Sequence, residues 1–155
     1  MKPMDLDNND VKSKIHRSID KLLRYDDHLL RYDVNERSIS HQLAIYIQDN
    51  FPEWNVDCEY NRHLNEIKRL NLQLEQLESN DTNAKTVFPD IIVHHRGKDD
   101  NLLVIEIKKS TNPQTSEYDC QKLIAFKSEL GYQIALFIKF RVGIENFGVE
   151  EERWL

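Results

Sequence analysis

The sequence predicts a mixed α/β (α+β) domain in which a central mixed β-sheet is flanked by helices. Its four glycines all lie from Gly97 onward, so the first 96 residues lack the residue that most weakens a helix short of proline. In that opening half, apolar residues recur at three- and four-residue steps, the period of an amphipathic helix. From about Val87 the pattern changes to β-branched runs separated by polar, glycine-containing links, which read as strands.

Residues 1–10 are polar and acidic and are expected to form a flexible tail, with residues 11–155 forming one domain. Val11, Ile15, Ile19, Leu22, Leu23, Leu29 and Leu30 mark a first helix running to about Arg31. Asn35 is the expected N-cap of a second helix, with Ser38 three residues on and a stripe of Ile39, Leu43, Tyr46 and Ile47. Pro52 closes it. Trp54–Tyr60 reads as a short strand. Arg62–Glu78, with Leu64, Ile67, Leu70, Leu74 and Leu77, reads as an inserted amphipathic helix, too short for a coiled coil.

Val87–His95 and Leu102–Lys108 follow as strands joined through Arg96–Asn101, a β-hairpin. Glu117–Leu130 reads as a helix with Gly131 as its C-terminal stop. Tyr132–Phe140 is a densely apolar strand, and the tail from Arg141 has room for one edge strand. Strands alternating with helices in this way make a sheet with helices on its faces.

Composition limits the function. The chain is 39% hydrophobic and 31% charged, and no apolar run approaches the roughly 18 residues of a membrane span. The N-terminus lacks the basic flank and apolar stretch of a signal peptide. Cys58 and Cys120 stand far apart, which fits a reducing cytoplasm better than a disulfide scaffold. With 27 acidic against 21 basic residues the formal charge is -6, so nucleic-acid binding by bulk charge is not expected. A local site or a partner must supply it.

The chemistry concentrates in Phe88-Pro89-Asp90-Ile91-Ile92-Val93 and Leu103-Val104-Ile105-Glu106-Ile107-Lys108-Lys109. The second run is apolar on both sides of Glu106, as in an interior strand. A carboxylate there costs several kcal/mol unless it is paired or holds a metal. Glu106 and Lys108 project from one face of a strand, and Asp90 opens the neighbouring strand after a proline suited to a strand's first position. Two carboxylates and a lysine around one point suit phosphodiester hydrolysis assisted by Mg²⁺, a hard cation bound by oxygen. The ordinary alternative is an ion pair between Glu106 and Lys108.

Pro89-Asp90, with Glu106-Ile107-Lys108 beginning sixteen positions after Asp90, across two strands followed by a helix, resembles the PD-(D/E)xK nuclease superfamily of restriction-endonuclease-like folds. The resemblance runs from about Asn35 to Phe140, leaving the first helix and the Arg62–Glu78 segment as additions. It implies a metal-dependent nuclease, most simply acting on DNA, that uses Mg²⁺ with Mn²⁺ able to substitute. Asp90 and Glu106 would be metal ligands, with the Ile107 carbonyl completing the protein shell. Lys108 would orient or activate the hydrolytic water. Glu36, at the start of the second helix, would be the further acid that many members carry, unless it only favours the helix dipole. Gln121 and Lys122 match positions where some members place polar residues near the substrate.

Arg96, Lys98 and Lys109 are the basic residues nearest in sequence for phosphate contacts, or else a solvated charge cluster. Adjacent His94 and His95 point to opposite strand faces and make no two-ligand site. Cys58, His63 and Cys120 lack zinc spacing. Glu59 ends a neighbouring strand and approaches the site or stays a surface charge. With no DNA-reading module in the sequence, selection would come from a homodimer, a separate recognition partner or a structured substrate. The rival function is a non-catalytic domain of the same fold binding a protein or nucleic acid; a third is a related enzyme acting on RNA.

Overall fold

The computed structural model describes residues 7–60 and 88–155 throughout; between them it describes the backbone of Arg62–His63, Glu66–Ile67, Arg69–Leu70 and Lys85–Thr86. The first helix, α1 (Asn8–Tyr25), starts earlier than Val11 because Asp7 caps it, its carboxylate accepting the Asn9 N–H at 3.2 Å. Residues 8–10, expected in the tail, thus form its first turn, and residues 1–6 lie outside the described residues. Val11, Ile15, Ile19 and Leu22 are buried, as their spacing requires.

The helix expected to reach Arg31 is interrupted at Asp26, which leaves helical geometry and accepts a hydrogen bond from the Tyr46 hydroxyl. A separate short helix, α2 (Asp27–Arg31), then buries Leu30. Asn35 caps α3 (Glu36–Asn50) as expected, its side chain accepting the Ser38 N–H at 2.8 Å. Ile39, Leu43 and Ile47 are buried and Tyr46 half-buried. Removing the cap in Asn35→Ala costs about 1 kcal/mol, read as a lower urea midpoint with an unchanged slope.

β1 (Asn55–Cys58) is the first strand of the main sheet. The helix expected over Arg62–Glu78 is not found where the structure describes that segment. β2 (Arg62–His63) pairs antiparallel with β3 (Glu66–Ile67), and β4 (Arg69–Leu70) with β5 (Lys85–Thr86). Residues 71–84 lie outside the described residues. An apolar stripe says nothing about whether a surface is there to cover it, and a helix without one is marginal in water.

The main sheet is completed by β6 (Ile91–His94), β7 (Asn101–Lys109), β8 (Ile134–Arg141) and β9 (Gly148–Trp154), in the order β1-β6-β7-β8-β9. β1, β6 and β7 run antiparallel in turn, β7 and β8 are parallel, and β9 closes the edge antiparallel to β8. The parallel step needs a crossover, supplied by α4 (Ser116–Leu130), which stops at left-handed Gly131 (φ 70°). α1 and α3 pack on one sheet face with Leu103, Ile105 and Ile107; α4 covers the other with Ile92 and Val104. Among the described residues no helix is long and apolar enough to cross a membrane.

Candidate active site

β7 is the middle strand of five, and its residues 101–108 are buried. Side chains alternate along it, so Glu106 and Lys108 share the α4 face with Val104. They do not pair with each other. Glu106 Oε1 lies 3.1 Å from Lys122 Nζ, and Lys108 Nζ lies 2.7 Å from Asp119 Oδ2, both partners being on α4. Strand and helix run in opposite directions here; two strand residues advance about 6.6 Å and three helical residues about 4.5 Å, a difference of about 2 Å that the long lysine side chains span. Glu106 Oε1 and Asp119 Oδ2 are buried without an aligned hydrogen bond, so each ion pair is a charge contact that leaves acceptor capacity over. Lys108 also donates to the Gln114 carbonyl at 3.3 Å.

Asp90 enters from the neighbouring strand. β6 stops pairing with β7 at Ile91↔Ile105, and Asp90 takes the place where the ladder would continue. Its Oδ2 accepts the Ile107 N–H at 2.7 Å. A strand residue's N–H and C=O point to the same side, so the Ile107 carbonyl faces the Asp90 edge as well. Glu59, in left-handed backbone geometry (φ 48°), donates its N–H to the Pro89 and Asp90 carbonyls at 3.0 and 3.2 Å. β7 thus fixes the Asp90 side chain, and the residue after β1 fixes its peptide.

The Asp90 and Glu106 carboxyls lie close enough for each to act on the other's charge. Burial pushes Asp90 above the ordinary carboxylate range, against the Ile107 N–H and the Glu106 contact. Glu106 is pushed well above it, by burial first and then by the Asp90 charge, while Lys122 pulls the other way. Burial works against the Lys122 ammonium, yet Glu106 and Asp90 outweigh it and hold its pKa up. Two buried carboxyls pressed together favour any group that brings positive charge.

Beside Asp90 a cavity of about 190 Å³ opens between α3 and the end of β1, lined by Arg37, Ser40, His41, Cys58, Glu59 and Asp90. Arg37 is largely exposed, its Nε 3.1 Å from Glu59 Oε1. Glu36 lies near enough for its charge to raise the Asp90 pKa. Its Oε1 accepts from Asn112 Nδ2 at 2.8 Å and from the Lys109 N–H at 3.3 Å, anchoring the chain where it leaves β7.

The structure therefore brings together Asp90, Glu106, the Ile107 backbone, Lys122 and, at the margin, Glu36. Other sequence candidates lie elsewhere. Arg96, in the turn after β6, is held in a two-pronged pair by Asp57 of β1, the residue opposite Ile92. Lys109 is tied to Asp33 at 2.8 Å, and Gln121 faces solvent. His94 is buried against Asp57 at 2.7 Å, and His95 is stacked on Trp54. Glu59 does approach, through its backbone and as part of the cavity wall. The sequence reading missed Asp119 and the Arg37–His41 wall. The only sequence signal for that wall is two basic-capable residues four apart on α3.

Hard oxygen donors converge on the Asp90–Glu106 pair, and one of them, Glu106 Oε1, has no aligned hydrogen bond. Among the described residues no group of three or more His, Cys, Asp or Glu side chains could hold an ion. Two carboxylates and a carbonyl fit Mg²⁺, which keeps several of its waters, better than ions that need a full protein cage. Comparisons with protein-family models, curated proteins and solved structures find no significant match to this chain.

Proposed function

We propose that the chain is a metal-dependent nuclease that hydrolyses phosphodiester bonds, with DNA as the first substrate to test. The observation that carries this reading is the buried Asp90–Glu106 pair at the end of β6 and β7, whose Glu106 Oε1 meets Lys122 as an ion pair but has no aligned hydrogen bond. The order α3-β1-β6-β7-α4-β8 around it is the order expected of a restriction-endonuclease-like core. Asp90, Glu106 and the Ile107 carbonyl would hold Mg²⁺ or Mn²⁺. When bound, the ion lowers the pKa of its water and withdraws charge from the phosphate.

The chain's own residues do the rest. The Ile107 N–H fixes one Asp90 oxygen and leaves the other to face the site. Glu106 forms a dry floor beneath it. Arg37 and His41, on the cavity wall beside Asp90, would take phosphate oxygens of the bound strand. Glu36 steadies the end of β7 and adds negative charge at the margin.

The test is cleavage of plasmid, linear duplex, single-stranded DNA and RNA in Mg²⁺ and in Mn²⁺, with Asp90→Asn purified in parallel. Metal-dependent cutting by the wild type falls at least about 100-fold in the variant. Equal cutting by both proteins would mean contamination or another site. A second reading, a non-catalytic binding domain, draws on the two crossed ion pairs, which balance Glu106 and Lys108 without any metal. It predicts that the wild type cuts none of these substrates and that Asp90→Asn leaves partner binding intact.

A further inference from the structure

The family pattern gives the water-orienting ammonium to the lysine of the Glu-x-Lys strand, but the geometry around Lys108 leaves it little freedom for that task. Its side chain is 2% exposed, with Nζ 2.7 Å from Asp119 Oδ2 and donating to the Gln114 carbonyl. Those partners lie on the first turn of α4 and the loop before it, and Lys108 is farther along β7 than Glu106. Its charge is balanced away from the carboxyl pair.

The ammonium that does reach the pair comes from the helix. Lys122 Nζ lies 3.1 Å from Glu106 Oε1 and donates to the Phe88 carbonyl at 3.2 Å, two residues before Asp90. It therefore bridges the chain leading into Asp90 and the floor residue Glu106. An ammonium carries three N–H donors. Among the described residues one is directed at Phe88, and the Glu106 contact is not an aligned hydrogen bond. Donor capacity remains for a water or a phosphate oxygen.

We propose that Lys122, delivered by α4, is the lysine that contacts the attacking water and the scissile phosphate, while Lys108 serves to dock α4 on β7. This rests on the nuclease reading above. In the step itself, the water oxygen forms a new bond to phosphorus and the bond from phosphorus to the leaving oxygen breaks. The water gives its proton to solvent, and the leaving oxygen takes one from solvent. Lys122 keeps its protons throughout and holds oxygen atoms by charge and hydrogen bonds. Before a metal ion enters, the same ammonium rests on Glu106, so it competes with the ion for that oxygen.

That competition separates a catalytic role from a structural one. Lys122→Met is expected to cut at least roughly 100-fold more slowly at saturating Mn²⁺ and DNA. Calorimetric titration with Mn²⁺ is expected to show binding as tight as wild type or tighter, because the competing charge is gone. Affinity for uncut duplex and single-stranded DNA in Ca²⁺ stays within about threefold of wild type, well short of a tenfold step. Lys122→Arg recovers part of the rate. If Lys122→Met does not fold, Lys122→Gln, which keeps a donor for the Phe88 carbonyl, serves the same comparison.

Cutting by Lys122→Met at near wild-type rate, with Asp90→Asn inactive, overturns the assignment and leaves the nuclease reading standing. Loss of Mn²⁺ binding in a folded Lys122→Met also overturns it, since the lysine would then be a prop for the carboxyl pair. A wild type that cuts no substrate overturns the nuclease reading and this assignment together.

Discussion

Lys108→Ala lowers the unfolding free energy by about 3–5 kcal/mol, the cost of breaking a buried ion pair from one side. The lysine side chain is 2% exposed and its partner Asp119 12%. Alanine leaves Asp119 Oδ2 buried with neither countercharge nor aligned hydrogen bond, and also empties the volume of the lysine stem. For a domain of this size the loss appears as a fall in Tm of roughly 10 °C. Lys108→Met combined with Asp119→Leu removes both charges and refills the space, and so recovers most of the loss. Urea denaturation of the three proteins at neutral pH measures the effect. A single-variant loss below about 1 kcal/mol, the range of exposed pairs, would mean that the pair is wet rather than buried.

Without metal, the domain loses stability as pH rises above the ordinary carboxylate range, and divalent ion reverses the loss. Asp90 and Glu106 have folded pKa values above their ordinary 3.8 and 4.5, through burial and, for Glu106, the neighbouring Asp90. Such groups hold a proton more readily folded than unfolded. Their contribution is complete below the ordinary values and is lost as pH climbs through the folded ones. Asp57 runs the opposite way: burial would raise it, but hydrogen bonds from His94 and Arg96 outweigh that and depress it. Its contribution is present above the ordinary value and is lost in acid, so stability also falls below about pH 4. Glu106→Gln removes most of the alkaline loss and the stabilisation by Mn²⁺ along with it. Thermal melts across pH, with EDTA or Mn²⁺, decide it; a wild-type Tm that stays flat as pH rises above the ordinary carboxylate range would refute the buried-pair account.

What the sequence disclosed and what it withheld divide along the range of the interactions. Asn35 and Gly131 could be read because a cap or a stop is a property of a few neighbouring residues. Glu106 stood out because a charge within an apolar strand demands a partner, and Asp90 because a hairpin places it beside that strand. The partner itself was hidden. Lys122 and Asp119 meet β7 only after α4 has docked, and no local pattern records the rotation at which a helix settles. Arg96 and Lys109 show the converse: near the motif in sequence, they are claimed by Asp57 and Asp33 in space. The break at Asp26 depends on Tyr46, from another helix.

The crossed pairs between β7 and α4 also act as a key for assembly. The strand presents negative then positive charge at Glu106 and Lys108, and the antiparallel helix presents positive at Lys122 and negative at Asp119. If α4 slid until Lys122 came level with Lys108, two ammonium groups would meet in a dry space; if it slid the other way, Asp119 would meet Glu106. Apolar residues such as Leu123 and Phe126 would tolerate small shifts, because contact between oily surfaces is not directional. The four charges do not, so α4 has one seat on the sheet, and whatever it carries is delivered to one address.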